Sequence, residues 1–203
     1  ENFYRHFAEQ ELDLVLLQLT TVLYYLHETN PDNELVRDKT DPAAPVSIAA
    51  VGMALATIPL VVERGVLYRE FAAKITLRRL SYLLQCPQGP EPDASGYKGF
   101  FYHFLDIETG RRVWQCELST IDSAFLFAGA LTLGTYFDRD TPDEIEIRSL
   151  VDELYGRADW NWARNGGPTV THGWRPETGF IPHCYQGYDE GLLLYILGLG
   201  SPT

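Results

Sequence analysis

VSIAAVGMALATIPLVV, residues 46–62, runs for 17 positions without a charge, and its reading decides the fold. A membrane span needs about 20 predominantly apolar residues. This run is shorter, contains Gly52, Thr57 and Pro59, and meets Glu63 and Arg64 at its end. A helix apolar on nearly every side is otherwise a core element wrapped by its neighbours. The run therefore predicts a buried central helix over Val46–Glu63. It is expected to bend near Pro59, whose ring does not fit a straight interior turn, and to close on Gly65 as a C-terminal cap.

Working outward, the flanking segments are helical as well. Leu12, Leu16, Leu19, Leu23 and Leu26 recur at three- and four-residue steps within Glu9–His27, which predicts a helix with one buried face. Asn30-Pro31-Asp32-Asn33 ends it. A third helix is expected over Leu67–Leu84, with Phe71, Ile75, Leu80 and Leu84 inward and Arg69, Lys74 and Arg78 outward. Pro87–Gly99 reads as an exposed loop, and Phe100–Val113 as a hairpin turning at Glu108-Thr109-Gly110. Further helices are predicted from Ser119 or Thr120 to Phe137, from Thr141 to Tyr155, and from Asp189 or Glu190 to Leu199. The stretch Asp159–Gly187 carries aromatic residues and glycines without helical period, and Gly200-Ser201-Pro202-Thr203 reads as a turn cut short. The expected fold class is all-α: an arc of about six antiparallel helices with one small β-hairpin and long aromatic loops.

The formal charge of −12 argues against nucleic acid, whose recognition needs clustered Lys and Arg, and against anionic membrane surfaces. A neutral polar substrate such as a sugar is not repelled. Cys86, Cys116 and Cys184 are widely spaced and odd in number, which fits thiols better than a disulfide framework or a zinc site. His103, His172 and His183 lack metal-ligand spacing, and no phosphate-binding glycine loop or GxSxG elbow is present, so no metal or cofactor is expected.

Two helix starts carry acids: Glu117 and Asp122 bracket one, and Asp189-Glu190 opens another, each near a loop rich in aromatics. Acids there can merely complement the helix dipole. Their pairing with Trp160, Trp162 and Trp174 suggests more. Sugar sites combine aromatic faces, which pack on the C–H face of a pyranose ring, with two carboxyl groups that flank the scissile bond.

Several segments in order carry a family resemblance: SIAAVG from Ser47, VERG from Val62, GFFYHFLD over Gly99–Asp106, STIDSAFLFAGAL over Ser119–Leu131, GWRPE over Gly173–Glu177, and GYDE over Gly187–Glu190. Together they resemble the bacterial glycoamylase-like family. The resemblance implies an (α/α)6 toroid with its cleft at one end, of which residues 1–203 would be one partial domain, the N-terminal half. It implies cleavage or transfer of β-glucan, in particular β-1,2-linked glucan, by carboxylate catalysis. Glu190 is the implied general acid, Asp122 its base or electrostatic partner, and Glu117 a third candidate. Tyr102, His103, Trp160, Trp162, Trp174 and Tyr188 are the expected substrate contacts. The alternatives are a carbohydrate-binding or regulatory helical module that holds glucan without cutting it, and a helical lyase or epimerase.

Half a ring exposes apolar faces at its open edge. The isolated 203-residue segment is accordingly expected to self-associate or to need its C-terminal half for stability. A monomer in sedimentation that also melts sharply in calorimetry would contradict this.

Overall fold

The computed structural model describes the backbone of residues 2–203 and the side chains of residues 12–203. In chain order the elements are α1 (Asn2–His27), β1 (Val46–Ser47), α2 (Ile48–Glu63), α3 (Arg69–Gln85), β2 (Gly96–Tyr97), β3 (Phe100–Phe101), β4 (Phe104–Leu105), β5 (Leu118–Ser119), α4 (Thr120–Tyr136), α5 (Pro142–Gly156), α6 (Trp160–Ala163), β6 (Gly173–Arg175), β7 (Gly179–Phe180) and α7 (Gly191–Gly200). The architecture is mostly helical, with short strands confined to the connections.

The charge-free run is the centre of the core, as its composition demands. Ile48, Val51, Leu55 and Ile58 are buried along α2, Pro59 lies within the helix, and Gly65 adopts a left-handed φ of 69° just beyond its end. The main partner of α2 is α4. The two backbones meet at glycines. A Cβ added at Gly52 would collide with the Phe125 carbonyl, and one at Gly129 with the Gly52 carbonyl.

The starts of these two helices are built alike. Ser47 caps α2 by accepting from the Ala50 N–H, and Ser119 caps α4 by accepting from the Asp122 N–H. Each serine ends a two-residue strand, and both strands lean on the chain between Tyr102 and Leu105. β1 pairs antiparallel with β4, Ser47 opposite Phe104, while Tyr102 bridges to Leu118. His103 falls between them. Its backbone carbonyl accepts from the Ile48 N–H at 3.2 Å and its N–H donates to the Glu117 carbonyl at 2.9 Å.

Three expectations change. The leucine stripe of α1 is not buried: Leu12, Leu16, Leu23 and Leu26 are exposed, and Val22 supplies the buried contact. The inward face of α3 is turned from the expected one, with Ala72, Ala73, Thr76, Arg79, Leu80 and Leu83 buried and Phe71 exposed. Electrostatics explains the turn. Arg79 is buried against the Glu34 carbonyl, to which its Nε donates at 2.7 Å, and Arg69 forks onto Glu144 of α5 through two hydrogen bonds of 2.8 Å. The Phe100–Val113 hairpin is reduced to its turn and the single bridge Leu105–Arg112, because β3 pairs with β2 and β4 with β1. The aromatic loop holds two elements that periodicity did not reveal, the one-turn helix α6 and the β6–β7 hairpin, whose strand β6 pairs with β5.

Because Gly129 has no room for a side chain, Gly129→Ala in the full-length protein is expected to cost about 1–3 kcal/mol, the usual penalty of overpacking a filled core. The denaturation midpoint reads this, and an unchanged midpoint would show that the helices are free to separate.

Candidate active site

At the starts of α4 and α7 lies an open cleft of about 500 Å³ lined by residues that include His103, Glu117, Asp122, Arg175, Tyr185 and Glu190. Their convergence follows from strand pairing. β5 and the residue just before it deliver Ser119 and Glu117, β6 brings Arg175 alongside, and the chain at 183–185 runs beside 170–172, with the His172 N–H bonded to the His183 carbonyl at 2.9 Å. Glu190 then arrives as the N-cap residue of α7, where its side chain makes no capping hydrogen bond. Asp189 does that work instead, accepting from the Gly191 N–H at 2.8 Å. The acid at the helix start is therefore left facing the cleft.

His103 sits between two carboxylates. Its Nδ1 lies 3.0 Å from Glu117 Oε1, and its Nε2 lies 3.7 Å from Asp122 Oδ1. The ring is backed by Phe104, stacked at 3.8 Å between centroids and 15° between planes. The far oxygen of Glu117 pairs with Arg175 Nη2 at 3.2 Å. Asp122 also serves its own helix: the Ser119 hydroxyl accepts from the Asp122 N–H and donates to Oδ2, which leaves Oδ1 for the imidazole.

These contacts set protonation. The hydrogen bond to His103 is the largest influence on Glu117. Burial opposes it, Arg175 reinforces it, and the carboxyl is held down at about 2. For His103, burial disfavours the charged ring, but the bond to Glu117 and the charges of Asp122 and Glu117 outweigh it and raise the imidazole above its ordinary 6.5. The Tyr185 hydroxyl is pushed up by burial and then by the charges of Glu190 and Asp122. An ionised carboxylate, an imidazolium and further acids around one open space can stabilise and move a proton at a bound polar substrate. Among the described residues no cluster of three or more His, Cys, Asp or Glu side chains is arranged to hold a metal ion, and no helix is long and apolar enough to cross a membrane.

The cleft thus brings together Glu117, Asp122, Glu190 and His103. The other expected contacts lie elsewhere. Tyr102 is fully buried, with the Arg112 guanidinium 4.6 Å from its ring centroid. Trp160 is a core residue, edge-on to Phe100 at 5.2 Å. Trp162 and Trp174 are half-buried in an aromatic cluster with Tyr97 and Phe180, and Tyr188 is almost entirely exposed. Arg175, His172 and Tyr185 carry no sequence signal that marks them as cleft residues. Arg175 meets Glu117 across 58 positions, and only its place in the GWRPE segment pointed towards it.

A helical scaffold whose cleft gathers acids at helix starts agrees with the glycoamylase-like resemblance carried by the sequence motifs. No protein-family model matches the chain. Among curated proteins it is similar to the exo β-1,2-glucooligosaccharide sophorohydrolase (non-reducing end) of Parabacteroides distasonis, at 27% identity, over 96% of this chain and 27% of that protein. Among solved structures it matches a provisionally assigned glucoamylase from Bacteroides uniformis, with a TM-score of 0.83 and 28% identity over 93% of this chain and 46% of that one. A β-1,2-glucanase from Parabacteroides distasonis also gives a TM-score of 0.83, at 27% identity over 96% of this chain and 28% of that one. The chain therefore spans about half the length of the first of these structures and about a quarter of the curated relative.

The raised imidazole gives a pH dependence with a definite sign. The stability that His103 gains as a cation is fully present below pH 6.5 and is lost as pH rises through its raised value. Replacing it by glutamine should lower the melting temperature in acid and near neutrality, with the gap to wild type closing in alkali. A gap constant with pH would mean that the imidazole carries no charge in the fold.

Proposed function

We propose that this chain forms part of a glycoside hydrolase or transglycosylase acting on β-glucan, in particular β-1,2-linked glucan, and that it supplies the first half of an (α/α)6 toroid. The observation that carries the reading is the convergence of Glu117, Asp122 and Glu190 with His103 in one open cleft. The similarity to proteins named as a sophorohydrolase and a β-1,2-glucanase supports the substrate class.

Cleaving a glycosidic bond needs a proton for the leaving oxygen and help for the attacking group. Glu190 is the acid of this reading, because its side chain is spared capping duty. It donates its proton to the leaving sugar oxygen, directly or through a substrate hydroxyl. Asp122 is the partner that receives the proton of the incoming water as its oxygen bonds to the anomeric carbon. With a sugar hydroxyl in place of water, the same steps give transfer. Glu117, held at about 2 by His103 and Arg175, is too acidic to be the proton donor. It acts as a positioning residue that orients His103 over Asp122.

The test is Glu190→Gln in the full-length protein with linear β-1,2-glucan. Turnover should fall by roughly a hundred- to ten-thousand-fold, the usual worth of a general acid, while glucan binding by calorimetry stays within a few-fold of wild type. Undiminished turnover would remove Glu190 from the chemistry. A wild-type protein that binds glucan without shortening, lengthening or cyclising it would favour the binding-module reading.

A further inference from the structure

Trp114 is 70% exposed, and nothing in the mechanism above uses it. Its backbone is held in an unusual state. Trp114 and Gln115 have consecutive φ values of 56° and 53°, left-handed conformations that bulky side chains rarely adopt. Such strain persists only where the surroundings over-determine it, and it gathers at sites that bind or react. Here the surroundings are visible. The Val113 N–H donates to the Phe104 carbonyl at 3.3 Å, the Cys116 N–H to the Val113 carbonyl at 3.1 Å, and the Arg112 Nε to the Cys116 carbonyl at 2.7 Å. The loop is thus pinned on both sides of the strained pair and runs directly into Glu117.

The indole is also in register with the site. Its centroid lies 5.5 Å from that of Phe104, whose ring in turn stacks on His103 in the cleft wall. Three aromatic rings therefore lead from the paired carboxylates to open solvent.

We propose that Trp114 is a substrate-binding platform flanking the cleft, stacking on the C–H face of a hexopyranose ring in a glucan chain that extends beyond the reacting bond. This rests on the glucan-cleaving reading above and adds a chain-length preference to it. A flat indole binds a sugar face by dispersion and apolar contact, with no linkage-specific hydrogen bond. The residue therefore selects for chains long enough to reach it.

The experiment compares wild type, Trp114→Ala and Trp114→Phe in the full-length protein on linear β-1,2-glucan and on β-1,2-linked glucooligosaccharides of increasing length. Turnover is followed by product chromatography and binding by calorimetry. For the alanine variant, KM on long chains should rise about ten-fold, the equivalent of one well-stacked contact, with KM and kcat on the shortest substrates unchanged. The phenylalanine variant should recover most of the loss. Loss spread evenly over all lengths, or no loss at any length, overturns the platform. If the wild type is inactive yet binds glucan in a Trp114-dependent way, the hydrolase reading fails and the platform stands. If it is active and indifferent to Trp114, only the platform fails. A wild type that neither binds nor converts these glucans overturns both.

Discussion

The backbone contact of α2 with α4 at Gly52 and Gly129 is the constraint on which the rest of the structure depends. Side chains at those positions would force the helices apart. With them together, the two serine caps lie near each other, and a single extended stretch, Tyr102–Leu105, pairs with the short strands that lead into both helices. His103 is the residue of that stretch whose main chain bonds to the start of α2 and to the residue preceding β5. Its place between Glu117 and Asp122 is thus held by main-chain bonds to the starts of both helices, independently of the side-chain contacts in the cleft.

The electrostatics of the cleft follow from that placement. Burial alone would push His103 towards neutrality and Glu117 towards protonation. Together they do the opposite, the ring rising and the carboxyl falling to about 2, because each stabilises the charge of the other and Arg175 adds a second cation. Such a pair orients well and exchanges protons poorly. Outside this pair, Glu190 lines the same cleft with its side chain free of capping duty, which Asp189 has taken.

Periodicity and composition made the helices legible where burial is simple. Residues 46–62 read as a core helix because they carry no charge, and α4 and α5 because Ser119 and Thr141 announce their caps. The reading fails where tertiary contacts override pattern. Arg69 reads as a solvent residue, yet it reaches Glu144, distant in sequence, while Arg79, which belongs to no apolar stripe, is buried against Glu34. The leucines of α1 look like a core stripe, but burial needs a neighbour that a pattern cannot supply. In the site, the acids were visible because helix starts are visible. Arg175 and Tyr185 were not, since the pairing of β5 with β6 and of residues 170–172 with 183–185 is a long-range event. Aromatic type misled in one direction. Tyr102 and Trp160 fill the core, while Trp114, which directly follows the expected hairpin and was given no role, stands in solvent.

The thiols divide unevenly over this architecture. Burial raises Cys86 to about 11 and also lifts Cys116, which lies in the loop leading to Glu117 and exchanges contacts of 3.3 and 3.4 Å with the Phe104 main chain. Both are poor nucleophiles under ordinary conditions, because the thiolate is the reactive form. Cys184 is the half-buried one, next to Tyr185 in the cleft wall. Of the three thiols in residues 1–203, Cys184 is therefore the one that a maleimide dye or spin label would reach most readily in the folded state, beside the cleft. The fold provides a reporter position there without any engineered cysteine.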